Sequence, residues 1–438
     1  MRSRLRALLL VATALTALAS TSCAPPPDDS AGSPGPHGPR VLRVPAQYPT
    51  LQRAVDLARP GDLVLAAPGV YRESVTLSAP RVVLRGADRN GTVIDGEFRR
   101  ANGITVTGAG SAVENLTVRN HLANGLLITG VTDTTRQTGA GGGKHYERLD
   151  TRLHPPLHGF RAAYVTAHNN ALYGIYAFDA SDGVIEHSYA SGHADSGIYV
   201  GQCSPCRTVV RDNTVEHNAV GLEVTNASQD LYFLGNRSRL NRVGAAVNSN
   251  DLESLAPQHG AVFAGNTLTG NNDAASPEQA DGGFGIGIGI GGGRDNVLER
   301  NLIDGNRHAG ILLTDVLGYP VTGNRADANR VTGNGTDLVL TAPGAAGNCF
   351  AGNGETSSSP EGLAAAAPCG APAGAWPPAA VAPPAPAAPA GLSFRRVPAP
   401  ARQPSMPGAA TAPAATAAGM PPADPARYPL PDPSPTGG

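Results

Sequence analysis

A glycine followed by alternating apolar residues recurs along the middle of the chain. It occurs at Gly103, Gly125, Gly174, Gly197, Gly221, Gly244, Gly285 and Gly310. Five of the seven spacings are 22 to 25 residues, and the other two are 49 and 41 residues. Within each unit the alternation has a period of two, which predicts strands rather than helices, with Ile198 and Val200 on one side and Tyr199 on the other. The two long spacings predict units that carry inserted loops.

Asparagine pairs form a second, independent repeat. The pairs are five residues apart and bracket or follow short apolar segments: Asn115 and Asn120, Asn213 and Asn218, Asn236 and Asn241, Asn266 and Asn271, Asn301 and Asn306, and Asn324 and Asn329. Asparagine favours turns, and identical amides stacked in register can hydrogen-bond to one another. We therefore expect an all-β parallel β-helix of roughly ten coils over residues 41–345, because one unit cannot bury its inner face alone.

The first coil needs a cap, because its strand edges would otherwise be exposed. A short amphipathic helix with Thr50 as its N-cap is predicted directly before the first coils. Its apolar positions are Leu51, Ala54, Val55, Leu57 and Ala58. Strands are then predicted over residues 62–66, 74–77, 82–85 and 92–95.

The N-terminus has the pattern of an export signal. Three arginines precede an apolar run over residues 7–19, which is too short to span a bilayer, so residues 1–22 are interpreted as a signal peptide. The small residues before Cys23 resemble the lipobox of bacterial lipoproteins, which predicts lipidation of Cys23. Ser20 departs from that pattern, and cleavage near Ala19 without lipidation is the alternative. Residues 23–40 are interpreted as a flexible tether.

Charge and composition narrow the picture further. The chain has 33 basic and 35 acidic residues and no basic cluster, which argues against a nucleic-acid partner. Residues 370–438 hold 19 of the 39 prolines and many alanines, so we expect a disordered tail. Four cysteines remain after Cys23, and an even number in an exported chain favours disulfides. Cys203 with Cys206, and Cys349 with Cys369 in a bridged segment over residues 346–369, are the expected pairs.

Two sequence runs resemble a known superfamily. The runs are Tyr48-Pro-Thr-Leu-Gln, continued by Pro60-Gly-Asp-Leu-Val-Leu and Pro68-Gly-Val-Tyr71, and the later run Asp195-Ser-Gly-Ile-Tyr-Val-Gly-Gln-Cys203. The first is similar to the opening of pectin-lyase-like proteins, and the second resembles right-handed β-helix repeat proteins. This resemblance covers about residues 41–345 and implies a right-handed parallel β-helix, in a superfamily whose enzymes act on acidic polysaccharides. The Tyr-Gly-x-Asp-Pro-His element of uronate epimerases is matched only by Tyr173-Gly174.

The repeat places one group of candidate binding residues on an outward face. Successive coils are predicted to align Tyr176, Tyr199 and Glu223 in one column, with three polar residues near the adjoining turn. Aromatic rings beside carboxylate and amide groups suit a sugar chain, although such residues can also simply solvate a sheet. The carbohydrate-binding candidates are Tyr176, Asp179, Tyr199, Gln202, Glu223 and Asn226.

Candidate acid–base groups lie nearby in sequence. They are Glu223, His187, His193 and Asp195, of which the last three are predicted in turns, where they can equally be plain surface residues. The insertion over residues 129–160 is expected either to flank the binding face or to be a solvated excursion. Its polar residues are Lys144, His145, Tyr146, Glu147, Arg148, Asp150, Arg152, His154 and His158.

The segment from Phe284 to Ile290 alternates strictly between glycine and isoleucine. Its isoleucines are predicted to point inward, which leaves Gly285, Gly287 and Gly289 as bare outward backbone. Such glycines mark close approach of a glycan or of the protein's own tail, and packing of the tail is the preferred reading.

These observations leave three functions open. The first is an exported, lipid-anchored envelope protein that binds carbohydrate or a partner on its outer face. The second is a lyase, hydrolase or epimerase acting on acidic glycans. The third and weakest is a periplasmic accessory for metal-enzyme maturation. No cofactor is predicted, and no metal site, because the histidines lack convincing ligand spacing.

Overall fold

The chain coils through three parallel sheets in a fixed order, and a full coil adds one strand to each sheet. The computed structural model describes residues 38–137, 148–279, 282–342, 347–370 and 383–433. The sheets are numbered here in the order in which the chain first enters them. All pairings between the strands of each sheet are parallel, as the repeat predicts.

The three sheets contain 12, 10 and 11 strands among the described residues. Sheet 1 consists of Val41–Val44, Leu63–Ala66, Val83–Gly86, Ser111–Glu114, Leu157–Ala163, Ala180–Glu186, Thr208–Arg211, Leu231–Leu234, Ala261–Ala264, Val297–Glu299, Arg325–Asp327 and Cys349–Ala351. Sheet 2 consists of Gly69–Tyr71, Thr92–Asp95, Thr117–Arg119, Thr166–His168, Tyr189–Ser191, Thr214–Glu216, Arg237–Arg239, Thr267–Thr269, Leu302–Asp304 and Arg330–Thr332. Sheet 3 consists of Val75–Leu77, Ile104–Val106, Leu126–Thr129, Ile175–Phe178, Ser196–Cys203, Val220–Ala227, Val243–Asn248, Ile286–Gly291, Ala309–Thr314, Leu338–Leu340 and Ser358–Ser359.

Apolar side chains stack in columns inside the coil. Ile175, Ile198 and Leu222 are in register on successive strands of sheet 3, and none of the three is exposed. On sheet 1, the rings of Phe233 and Phe263 stack with centroids 4.5 Å apart and planes 4° from parallel. The strands therefore follow the predicted period of two, with every second residue in the core.

Asparagine ladders fix the corners of the coil, as predicted. At the corner between sheets 2 and 3, the Oδ1 atom of Asn241 accepts hydrogen bonds from both the backbone and the side-chain N–H of Asn218, at 3.0 Å each. Similar bonds join the members of each ladder because identical side chains recur in register. The ladders are His121, Asn170, His193, Asn218, Asn241, Asn271, Asn306 and Asn334; Asn213, Asn236, Asn266, Asn301, Asn329 and Asn353; and Asn296, Asn324 and Asn348.

The predicted cap is present as the helix Leu51–Asp56. The Thr50 hydroxyl accepts a hydrogen bond from the Arg53 amide at 3.2 Å, which confirms its N-cap role. The other helical segments are Thr134–Gln137, Leu363–Ala366, and the 3₁₀ turns Phe394–Arg396 and Pro425–Arg427. None of the helices in the described ranges has the length and apolar character that a bilayer crossing requires.

Both expected disulfides are present. Cys203 bonds to Cys206, and Cys349 bonds to Cys369 across a separation of 20 residues. The predicted signal peptide, Cys23 and most of the predicted tether lie outside the described residues.

The C-terminal segment differs from the predicted disorder over part of its length. Residues 383–433, here named the strap, lack regular strands but lie against the β-helix, while residues 371–382 and 434–438 are outside the described ranges. The Arg85 guanidinium donates to the carbonyls of Ala412 and Pro413, at 2.6 and 3.0 Å. Asn169 donates to the Phe394 carbonyl at 2.6 Å. A composition argument counts only apolar side chains, whereas this segment is held by backbone hydrogen bonds as well as by apolar contacts of residues such as Val397 and Tyr428.

Candidate functional site

The predicted outward column is present on sheet 3. Tyr176 pairs in register with Tyr199, and Tyr199 pairs with Glu223. The next two members of the column are Ala246 and Gly289. On this face, a row of large aromatic and acidic side chains is therefore followed by the small residues Ala246 and Gly289, which are named the small-residue floor.

Four aromatic rings meet at this column. The rings of Tyr173 and Tyr176 stack with centroids 4.3 Å apart, and the Tyr176 and Tyr199 rings meet edge to face at 4.8 Å. Phe178 stacks against the Tyr176 ring at 5.5 Å. The sequence analysis missed Tyr173 and Phe178, although Tyr173 directly precedes the repeat glycine of its unit.

The face is covered, and in this it differs from the open surface expected from the repeat. Tyr199 is only 1% exposed and Glu223 only 8%. Val131 and Leu149 of the 129–160 insertion pack on the aromatic cluster, and only Tyr173 and Tyr176 stay half-buried. The cover comes from the two long repeat spacings, whose extra residues fold back over sheet 3.

The two covering insertions brace each other. The Ser254 hydroxyl donates to the Leu149 carbonyl at 2.6 Å, and the Arg148 guanidinium donates to the Asp251 carbonyl at 2.5 Å. The flanking role expected for residues 129–160 therefore applies to their described part, although Arg152 and His154 do not join the cluster. Lys144, His145, Tyr146 and Glu147 lie outside the described residues. His158 and Asp150 point elsewhere: the His158 ring pairs with Asp182 at 2.9 Å, and Asp150 accepts the Arg152 amide.

Three carboxyl groups lie at the aromatic cluster. Glu253, on the second insertion, accepts a hydrogen bond from the Tyr199 hydroxyl at 2.6 Å. The Ser196 hydroxyl lies between Asp195, at 3.3 Å, and Glu223, to which it makes a close hydrogen bond. Glu253 was not a sequence candidate, because it is brought to sheet 3 by a loop that carries no repeat signal. The group of Tyr173, Tyr176, Tyr199, Asp195, Glu223 and Glu253 is named the acid–tyrosine cluster.

Burial raises the pKa values of two of these carboxyls. Burial raises the pKa of Glu253 to about 8, with Asp195 adding to the effect and the Tyr199 hydrogen bond opposing it. Burial and the neighbouring Asp195 also raise the pKa of Glu223 well above its ordinary value, against the hydrogen bond from Ser196. A carboxylic acid that stays neutral can donate a hydrogen bond or a proton, and such shifts are concentrated at functional sites.

The polar candidates at the adjoining corner have different roles. Asn226 is fully buried, and its side chain bonds to the Asn250 and Glu253 backbones, so it supports the covering loop and is not positioned to contact a ligand. Gln202 accepts the Ser254 amide at 3.1 Å, but its buried Nε2 has no partner in the described part of the chain.

Asp179 is an unusual buried carboxyl at the same corner. It is 1% exposed, and neither carboxylate oxygen has a hydrogen-bond partner of ordinary geometry within the described residues. Burial raises its pKa to about 7, with the nearby Gln202 amide acting in the opposite direction. An unpartnered buried polar group calls for water, a ligand or a role in catalysis.

Two predicted acid–base residues do not belong to the site. His193 is buried within an asparagine ladder, where its Nδ1 accepts the Asn170 amide and burial lowers its pKa to about 3. His187 lies at the corner between sheets 1 and 2, where its ring packs 4.9 Å from the Tyr164 ring. His187 lies at a different corner of the coil from the cluster. His193 lies at the same corner as Asp195, but its side chain forms part of the ladder and not of the outer face. Asp195 and Glu223 are brought together.

The glycine–isoleucine strand matches its prediction only in part. Ile288 and Ile290 are fully buried, as expected. A side chain at Gly287 would meet the Gly310 carbonyl at 2.6 Å, so this glycine faces the next coil and not the solvent. Gly289 does face outward, and a Cβ there would contact only Ile286, at 3.7 Å, so the strap does not cover it.

Within the described ranges, no three His, Cys, Asp or Glu side chains are grouped as a metal site would require. The side chains of the acid–tyrosine cluster can form hydrogen bonds, stack through their rings and transfer protons.

Comparisons with known proteins agree with the topology. Residues 158–238 match the family described as the right handed beta helix region. No curated protein sequence matches the chain. With the three parallel sheets, the family match shows that the described chain folds as a right-handed parallel β-helix.

Several solved structures are similar to this one. The A-module of the Azotobacter vinelandii mannuronan C-5 epimerase AlgE4 is 16% identical, with a TM-score of 0.44, and the match covers 66% of this chain and 86% of that chain. The pectate lyase Pel9A is 15% identical, with a TM-score of 0.36 and coverage of 74% and 78%. An alginate lyase from Paenibacillus is 16% identical, with a TM-score of 0.34 and coverage of 73% and 97%.

Proposed function

We propose that the protein binds carbohydrate on the outer face of sheet 3, at the acid–tyrosine cluster and along the small-residue floor beside it. The stacked pair of Tyr173 and Tyr176 carries this proposal. Their rings are half-buried, they lie beside hydroxyl and carboxyl groups, and this combination suits the apolar and polar faces of a sugar. A glycan on this pair can extend over Ala246 and Gly289, the two small residues that follow in the column.

A glycan array probed with the mature protein tests the proposal, followed by titration calorimetry on any hit. Tyr176→Ala removes half of the stacked pair and is expected to weaken binding about tenfold, which corresponds to about 1.4 kcal/mol. Tyr164→Ala is the matched control, because it removes a half-buried tyrosine at a different corner. Equal effects of the two variants, or no binding to any glycan, would contradict the proposal.

A second candidate function is catalysis on the same glycan, as a lyase, hydrolase or epimerase. The raised pKa values of Glu223 and Glu253 favour it, because a carboxylic acid with a pKa near 8 is a competent general acid at neutral pH. Incubation with uronate polymers and neutral glycans, followed by assays for reducing ends, unsaturated ends and C-5 inversion, separates the two functions. Glu253→Gln should then abolish turnover while leaving binding within about twofold, and turnover that survives this change excludes Glu253 as the acid.

Export and lipid anchoring at Cys23 complete the proposal. The two disulfides support export, because such bonds persist in oxidising compartments. Mass spectrometry of the mature N-terminus tests the anchor: a diacylated Cys23 is expected, and an unmodified terminus near residue 20 would contradict it. In this arrangement the polysaccharide partner belongs to the cell envelope or its surroundings.

A further inference from the structure

The strap packs closely against the loop of residues 272–279. The Leu392 amide donates to the Ser276 carbonyl at 3.1 Å, and the Gly391 amide donates to the Glu278 carboxylate at 3.3 Å. A Cβ atom at Gly391 would lie 2.7 Å from the Glu278 amide nitrogen, so even a methyl group does not fit between the two segments.

The same loop contacts the acid–tyrosine cluster. The Gln279 side chain donates to Oδ1 of Asp195 at 2.9 Å. Asp195 is the residue that shares the Ser196 hydroxyl with Glu223. The loop is held to sheet 2 by Asp273, which pairs with His217 at 2.8 Å. Gln279 therefore occupies a carboxylate oxygen that a sugar hydroxyl would otherwise use.

The strap is anchored on both sides of its contact with the loop. Before the contact, the Arg242 guanidinium donates to the Pro389 carbonyl at 2.5 Å and lies 5.1 Å from the centre of the Phe284 ring. After it, Asn169 donates to the carbonyls of Phe394 and Val397, at 2.6 and 2.9 Å. Fixed anchors on either side keep Gly391 and Leu392 pressed against the loop.

We propose that the strap regulates access to the acid–tyrosine cluster by clamping the 272–279 loop, so that Gln279 covers Asp195. The proposal rests on the proposed function in one respect, because it takes this cluster as the glycan site. Displacement of the strap, for example when an envelope polymer or a second chain competes for its anchors, would release the loop and expose Asp195. Many of the strap's contacts are hydrogen bonds to its backbone carbonyls. A competitor can therefore replace these contacts without matching the side chains of the strap.

Carbodiimide labelling of carboxyl groups with glycine ethyl ester, read by peptide mass spectrometry on the full mature chain, tests the clamp without any glycan. Gly391→Ala inserts a methyl group between strap and loop, and Gln279→Ala removes the cover directly. Each is expected to raise the labelling rate of Asp195 roughly tenfold, as for the loss of one hydrogen bond to a charged group. Because both act through the same contact, the double variant should match the single variants.

Ala399→Val is the control, since it adds methyl groups to the strap at an exposed residue. It should leave Asp195 labelling unchanged. Unchanged labelling in Gly391→Ala, or additive effects in the double variant, would overturn the clamp.

A binding experiment with a glycan distinguishes failure of the clamp from failure of the proposed function. If a glycan binds the wild-type chain, Gly391→Ala should raise its association rate by about the same factor as the labelling rate. A faster labelling rate with an unchanged association rate would overturn the regulatory claim. If no glycan binds any variant, the proposed function fails, while the labelling rates still decide whether the strap holds the loop.

Discussion

Two outer faces of the β-helix are covered by other parts of the chain, and buried charge is treated in opposite ways beneath the two covers. Under the strap, sheet 1 presents a ladder of alternating charges: Arg85, Glu114, Arg161, Glu186 and Arg211. Under the inserted loops, sheet 3 presents acidic groups next to one another. On sheet 1, opposite charges neutralise one another. On sheet 3, burial raises the pKa values of the carboxyl groups and so favours their neutral, protonated forms.

The carboxyl groups of the two faces show the consequence. Burial alone would raise the pKa of Glu186, but its hydrogen bonds with Arg211 and its pairing with Arg161 overcome that effect, and the pKa is lowered. Glu253 is buried beside Tyr199 and Asp195, and its pKa rises to about 8. Holding an acid in this way lowers the stability of the fold as the pH rises above about 4.5, so the sheet 3 arrangement is the one expected of a functional site.

The largest change in the free energy of unfolding is expected on sheet 1, where the buried charges are paired. Arg85 and Glu114 are both fully buried, with their charged atoms 2.7 Å apart. Glu114→Gln leaves the guanidinium buried without its full partner and should lower the free energy of unfolding by about 3 kcal/mol. Urea unfolding measures this change, with Glu97→Gln as the control, because the Glu97 side chain is 34% exposed in its ion pairs. A loss below about 1 kcal/mol would mean that the buried ladder behaves like a surface ion pair.

A smaller change in the free energy of unfolding, in the opposite direction, is expected on sheet 3, where removing the charge of a buried carboxyl group should stabilise the fold as the pH rises. Because the folded-state pKa of Glu253 is raised, the folded chain holds a proton that the unfolded chain releases from about pH 4.5 upward. Its contribution to stability is therefore complete below pH 4.5 and is lost as the pH rises to about 8. At pH 6 this loss amounts to about 2 kcal/mol, at about 1.4 kcal/mol per pH unit above 4.5, and Glu253→Gln should remove it.

Thermal or urea unfolding across that pH range provides the measurement, with Glu216→Gln as the matched control because Glu216 already pairs with Arg239. If the wild type and Glu253→Gln have parallel stability profiles, the carboxyl is not held in its neutral form.

The smallest change in the free energy of unfolding is expected for an arginine–glutamate pair that is open to solvent. The side chain of Arg239 is 48% exposed in its pair with Glu216. Arg239→Ala should therefore change the free energy of unfolding by less than about 1 kcal/mol, and the change should shrink further in high salt. A change as large as that of Glu114→Gln would show that burial under the strap is not what separates the two faces.

The coil itself was predictable because its determinants repeat. The alternation in residues such as Ile198, Tyr199 and Val200 sets the inward and outward faces, and the recurring asparagines mark two of the three corners. The ladder of Asn296, Asn324 and Asn348 escaped notice because its members were assigned to other pairs or to none.

The loops and the strap that cover the sheets were not predictable, because the contacts that hold them do not repeat along the chain. Glu253 reaches Tyr199 through a single loop that leaves no periodic trace, so burial of the tyrosine column could not be foreseen. The strap was misjudged because the contacts that hold it join residues far apart in the chain. The Pro413 carbonyl, for example, accepts from Arg85, 328 residues away, and the Phe394 ring packs on the Phe98 ring. His193 lies in a turn, as predicted, but its side chain takes the place of an asparagine in a ladder.

Titration of the glutamate side chains by carbon-13 NMR, with Glu253→Gln and Glu223→Gln used for assignment, tests the central claim most directly. We predict that Glu253 titrates near pH 8 and that Glu223 also titrates well above its ordinary range, while Glu186 titrates below it. Ordinary values near pH 4.5 for both Glu253 and Glu223 would contradict the existence of a protonated site on sheet 3.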